Sequence, residues 1–230
     1  MNRTQALFLG LRSVMPLLVG VAPFGVIYGV VALQSGIPPV AAMAMSTIVF
    51  AGSAQFLLAQ LVGAGAPLLL AAGAVGLVNL RHALYSASVA PMLARLPRRW
   101  KLLLAYLLTD EAYAAAIPHL QARADGETPP HAHWILFGSG LGLWAGWQLA
   151  TLVGVLIGAQ LPPNLELDFA LPLTFIAIVV PMIASRALLI AALTAGAVAV
   201  ILAAWPYKVG LFFGALAGLC VGAMLSRRTA

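Results

Sequence analysis

Apolar runs of helix length follow one another along this chain, and polar residues gather between them or in short clusters instead of alternating with apolar ones. Between Arg12 and Arg81 there is no Asp, Glu, Lys or Arg. A helix needs ~20 apolar residues to cross a bilayer, so that stretch alone holds about three segments with no charged loop between them. Carried to the end of the chain, the pattern predicts about eight hydrophobic segments at bilayer spacing, near 13–33, 40–64, 67–90, 101–120, 133–158, 169–185, 187–204 and 207–225. Continuous runs of this length predict an all-α polytopic membrane protein and exclude a β-barrel, whose strands are short and alternate. The links are too short for a soluble domain. Residues 1–230 therefore read as a single transmembrane domain whose function lies inside the bilayer.

Composition sharpens this. Hydrophobic residues make up 63% and charged residues 8%, with a mean hydropathy of +1.02, which leaves too little polar surface for a soluble protein. The net charge of +6 reports topology, not nucleic acid, because Lys and Arg collect on the cytoplasmic side of a membrane. If all segments cross fully, the basic residues divide almost evenly between the two sides. If segments two and six are instead broken and re-entrant, Arg3, Arg12, Arg95, Arg98, Arg99, Lys101, Arg186, Arg227 and Arg228 fall inside, and only Arg123 and Lys208 outside. The second arrangement has the expected bias. It gives six full spans and two broken helices, with both termini cytoplasmic and an uncleaved first helix.

Self-similarity points the same way. GVVALQSGIPP from Gly29 is echoed by GVLIGAQLPP from Gly154, Thr47 by Thr174, and AAGAVGL at 71–77 by TAGAVAV at 194–200. Halves 13–120 and 133–225 with opposite starting sides form an inverted repeat, an architecture that places a transport site between the repeats.

Polar residues in the apolar runs mark the candidate site. Segment two carries Ser46, Thr47, Gly52, Ser53 and Gln55 within STIVFAGSAQF, and segment six carries Pro172 and Pro181. Interruptions of this kind point to unwound helix. Freed amides and carbonyls at Gly52-Ser53-Ala54-Gln55 suit the carboxylate and ammonium of an amino acid, with Phe50 and Phe56 for an apolar side chain; the competing account is close packing of helices through small residues. In segment three, Asn79, His82 and Tyr85 share a helix face while Arg81 points elsewhere, either toward a partner or snorkelling to headgroups. In segment four, Asp110 and Glu111 diverge by ~100°, so one is expected to pair with Arg81 and the other to carry a proton, unless an ion pair merely fastens the two segments together. His82 suits a proton carrier or a hydrogen-bonded packing role.

Other classes find little support. His131 and His133 form an H-x-H loop motif that reads better as a solvated loop than a metal site. Cys220 is the only cysteine and reads as a packing residue. GxxxxGK[ST], H-E-x-x-H and G-x-S-x-G are absent, which argues against ATP hydrolysis and common intramembrane hydrolysis by this chain. No cofactor is expected.

FAGSAQF at 50–56, NLRHALYSASVAP at 79–91 and TDEAY at 109–113 resemble the AzlC-type large subunit of branched-chain amino acid exporters, a likeness running from about Arg12 to the last helix. The resemblance implies export of leucine, isoleucine and valine driven by protons, with a small hydrophobic AzlD-type partner subunit. On that reading Ser46, Gly52, Ser53, Gln55 and Asn79 bind substrate, and Arg81, His82, Asp110 and Glu111 form a coupling network, in contact with membrane lipid and no nucleic acid. The rivals are an intramembrane enzyme and a structural subunit that stabilises a transporting partner.

Overall fold

The computed structural model describes residues 1–121, 131–161, 183, 185–205 and 209–229. Among them all regular structure is helical: α1 Arg3–Gln34, α2 Pro39–Ile48, α3 Gly52–Gly63, α4 Leu68–Val89, α5 Arg98–Leu107, α6 Asp110–Leu120, α7 Ala132–Gly158, α8 Arg186–Ile201 and α9 Val209–Thr229, with a 3₁₀ turn at Pro91–Leu93. Of these, α1, α4 and α7 are long and apolar enough to cross a membrane. The chain divides into two compact units, residues 1–60 with 72–161, and residues 61–71 with 162–230.

The first unit is built on a seam between α1 and α7. Helices associate in lipid by close packing of small residues, and here glycine lets backbone meet backbone. A Cβ on Gly10 would lie 2.0 Å from the Ile135 carbonyl oxygen, and one on Gly154 would lie 2.1 Å from that of Val26. The pairing of residue 10 with 135 and of 26 with 154 advances in the same direction along both helices, so α1 and α7 run parallel. An inverted repeat over 13–120 and 133–225 requires these opening helices to run antiparallel. The expected repeat is therefore not present in this pair.

Segment two is broken, and the break makes a hairpin. α2 descends beside the seam: Tyr28 donates to the Ala42 carbonyl at 3.1 Å, and further along α2 Ser46 meets Thr151 at 2.8 Å, a position level with the Ala150 that packs on Gly25. After Val49–Ala51 the chain turns back as α3. Gly52 lies opposite Phe24, and the Phe56 ring sits 4.5 Å from Phe24 and 5.7 Å from Tyr28. α4 then returns to the other end, where Val89 and Leu93 join Ala6, Ile135 and Leu136 in one apolar cluster.

Segment four, expected as an unbroken span over 101–120, is a second hairpin. α5 rises from Trp100, packed on Trp134 at 5.0 Å, to Tyr106, which meets Trp144 at 2.8 Å. The chain turns at Leu108–Thr109, and α6 descends until Leu120 rejoins the cluster around Ala6 and His119 meets Ser13 at 2.8 Å. The two hairpins thus enter the unit from opposite ends. α1 is followed by a hairpin that enters from one end, and α4 by a hairpin that enters from the other. Segment six, including Thr174, Pro172 and Pro181, lies outside the described residues.

In the second unit α8 and α9 are antiparallel. Gly210, Gly214 and Gly218 of α9 lie on the α8 backbone near Ala199, Ala195 and Ala191, so small residues again set the approach.

Candidate functional site

Breaking a helix inside a membrane frees carbonyls at one cut end and amides at the other, and each needs a partner. At the first tip Phe50 adopts φ +40°, an uncommon conformation for a side chain of this size. Two of the carbonyls at the end of α2 accept from side chains of other helices. Ser46 O accepts from Gln148 Nε2 at 3.0 Å, and Thr47 O accepts from the Tyr106 hydroxyl, which itself accepts from Trp144 Nε1. These two carbonyls, which suit an ammonium group, each already accept one hydrogen bond from the protein. Gly52-Ser53-Ala54-Gln55, expected as the unwound stretch, is the first turn of α3, with the break just before it.

At the second tip Thr109 is the N-cap of α6, its hydroxyl accepting from the Ala112 amide at 3.4 Å, and Asp110 and Glu111 occupy the first turn. Carboxylates are favoured there because a helix amino terminus carries about half a positive charge. α4 passes both tips and delivers Arg81. Its Nη1 donates to Asp110 Oδ2, and its Nη2 donates to Ser53 Oγ at 2.8 Å. One guanidinium therefore ties the amino-terminal turns of two oppositely inserted half-helices together. His82 Nε2 lies 3.7 Å from Asp110 Oδ1, so Arg81 and His82 both converge on one carboxylate, although the helix geometry alone had set them on different faces.

Arg81 and Asp110 are about one-third exposed, at 33% and 31%, and the cluster retains unused bonding capacity. Asn79 Oδ1, Arg81 Nε, His82 Nε2 and Asp110 Oδ1 are buried atoms without a hydrogen-bond partner among the described residues. Such groups are rare in structural cores and common where a ligand or proton is handled.

Of the remaining expected residues, Ser46 and Gln55 are fully buried behind the tips, Ser46 against Thr151 and Gln55 accepting from Trp147 Nε1 at 3.1 Å. Glu111 makes no ion pair among the described residues. Phe56 packs into the Phe24/Tyr28 cluster, while Phe50 sits at the tip 5.8 Å from Tyr106. Tyr106, Thr109, Trp147, Gln148 and Thr151 complete the site and were not anticipated. Gln148 and Thr151 stood out only as polar residues in an apolar run. The His131 and His133 rings lie 6.3 Å apart, and no group of three His, Cys, Asp or Glu residues suited to a metal occurs among the described residues.

The family described as "AzlC protein" matches residues 16–161, a span that contains both hairpins and the Arg81 cluster. Inner membrane protein YgaZ of Escherichia coli is 30% identical over 172 residues, covering 72% of this chain and 69% of that protein. An uncharacterized membrane protein of Archaeoglobus fulgidus is 31% identical over 214 residues, 91% of this chain and 90% of its own. One from Helicobacter pylori is 30% identical over 163 residues, 70% of this chain and 68% of its own. No solved structure matches the chain.

Proposed function

The chain belongs to the AzlC family, and from that premise we propose that it is the large subunit of a proton-coupled inner-membrane transporter that exports branched-chain amino acids with a small hydrophobic AzlD-type partner. The observation that carries the reading is the meeting of two opposed hairpin tips on the Arg81–Asp110 pair. A zwitterion needs a fixed cation for its carboxylate. Arg81 supplies a planar fork suited to one, beside the first amides of α3, whose dipole adds to the attraction.

Asp110 holds that fork until something displaces it. The substrate enters the pair with its carboxylate on Arg81 and its ammonium on Asp110. A proton delivered to Asp110 from outside removes the anion that holds the ammonium and releases the substrate there. Loss of that proton to the inside restores the site, so proton and amino acid exchange in opposite directions. His82, at 3.7 Å, provides a neighbouring stop for the proton. Asn79 Oδ1, a buried acceptor without a partner, suits the ammonium group, and Phe50 beside Tyr106 offers apolar surface that reads a side chain by volume alone. Because the tips are inserted from opposite ends, rocking one hairpin at a time opens the cluster to one side at a time, as alternating access requires.

Purified protein in proteoliposomes, alone and with the partner subunit, tests this by leucine counterflow with and without a pH gradient. Leucine, isoleucine and valine should move faster with the gradient, and Arg81→Gln should stop all three. Movement that needs the partner but is indifferent to Arg81 would make this chain a structural subunit. Turnover of a lipid or peptide in detergent, with no transport, would make it an enzyme.

A further inference from the structure

The first unit has a cleft that the transport site does not use. It has a volume of about 210 Å³ and is lined by Ser86, Val89 and Ala90 of α4, Leu93, Leu136 of α7, and Lys101, Leu104, Ala105 and Leu108 of α5. Two of its lining residues are polar, Ser86 and Lys101; the rest form an aliphatic slot between the end of α4 and the rising arm of the second hairpin.

Lys101 is exposed and donates one of its three hydrogens to the Ala94 carbonyl at 2.7 Å. Arg95, Arg98 and Arg99 are exposed in the same turn and first helical turn, and none has an ion-pair partner among the described residues. No acidic residue occurs in the sequence from Arg81 to Thr109 to neutralise them. Trp100 packs edge-on against Trp134 and Phe137, and paired tryptophans beside basic residues mark the headgroup level of a bilayer. The cleft therefore combines one basic lining residue, Lys101, in a turn that carries three further exposed and unneutralised arginines, with an apolar slot.

We infer that this cleft is a binding site for an anionic phospholipid, one acyl chain lying in the slot and the headgroup phosphate held by Lys101 and the neighbouring arginines. A zwitterionic lipid fits the slot but not the charge, and a free phosphate fits the charge but not the slot. Basic pockets between membrane helices favour acidic headgroups for the same reason. The lipid would brace the rising arm α5 against α4.

The test measures thermal unfolding of the purified full chain in a neutral detergent with added phosphatidylglycerol, phosphatidylcholine of the same acyl chains, or inorganic phosphate, and counts retained lipid by native mass spectrometry. Phosphatidylglycerol should raise the melting temperature by several degrees and remain bound with about unit stoichiometry; the other two should do neither. Replacing Arg98, Arg99 and Lys101 together by Gln should abolish the shift. Ala105→Trp, which fills the slot from an exposed position, should abolish it with the basic residues intact. Equal effects of the two lipids, or protection by inorganic phosphate alone, would overturn the assignment. So would a phosphatidylglycerol shift that survives Ala105→Trp, or a cleft protected only by the partner subunit.

Discussion

Arg81 holds two obligations at once, a carboxylate on α6 and a hydroxyl on α3. Removing either charge of the pair leaves the other half-buried without a match, which costs about 2 kcal/mol by the usual range for hydrogen bonds to charged groups. Arg81→Gln and Asp110→Asn should each lower stability by that order, and the double variant by less than their sum; a thermal double-mutant cycle checks it, and strict additivity would deny that the pair is coupled. Glu111→Gln leaves the clamp intact, so it should retain stability, and any loss of gradient-driven leucine transport in it reports proton handling alone. Gly52 is a sharper probe than expected. Its missing Cβ would lie 2.9 Å from Trp147 and 3.1 Å from Phe24, so Gly52→Leu should displace the first turn of α3 and abolish leucine binding by titration. Gly142 of α7 cannot serve as the control, because a Cβ there would lie 2.9 Å from Val14. Gly20→Leu, with nothing within 4 Å, is the right comparison and should bind normally. The convergence of Arg81 and His82 on Asp110 escaped the helix-face argument because that argument follows Cβ directions, whereas a guanidinium on its long stem reaches around the helix.

The end of α2 is held by donors from two other helices and the start of α6 by its own cap, Thr109. Tyr106→Phe and Gln148→Leu each remove one donor from the end of α2, so each should cost about 1 kcal/mol and raise hydrogen exchange around residues 49–51. Unchanged exchange in both would mean the tip does not rely on those bonds. The break of segment two was legible because Gly and small polar residues interrupt an apolar run there. The break of segment four was not, because KLLLAYLLTDEAY contains no Gly or Pro. Its one local sign was Thr109 followed by Asp110 and Glu111, an N-cap before an acidic first turn, and such a sign is easily absorbed into a long apolar segment. The energy that keeps this second break open comes from Arg81 and the packing of Tyr113 on Tyr85 at 4.9 Å, which no local pattern records.

For the first unit as a whole, the start of α1, the turn at Arg95–Lys101 and the start of α7 share one end, since Ala6, Leu93, Ala132 and Ile135 form a single cluster. With Arg3, Arg12 and the Arg95–Lys101 group gathered there, that end should be cytoplasmic. In a Cys220→Ser background, single cysteines at Thr4 and Ala94 should resist an impermeant thiol reagent in whole cells, and one at Gln34 should react. Opposite labelling of Thr4 and Ala94 would contradict the arrangement of α1 to α4. The all-α membrane class was plain from the apolar runs. The order of spans and hairpins was not, because the bias of basic residues was met by breaking segments two and six, whereas segment four is also broken and α1 runs parallel to α7.

That seam also sets a timetable for biogenesis. The first hairpin is made early, yet its bonds are supplied late: Ser46 waits for Thr151, the Ser46 carbonyl for Gln148, and Gln55 for Trp147, separations of 105, 102 and 92 residues. A polar tip without these partners has no reason to remain in lipid. The nascent chain should therefore hold this hairpin at the membrane surface or in the insertion machinery until α7 emerges, and only then fold it inward. Ribosome-bound chains halted after residue 121 should leave a cysteine at Ser46 open to labelling, and chains halted well beyond Gly158 should protect it. Equal protection at both lengths would show that the hairpin settles unaided.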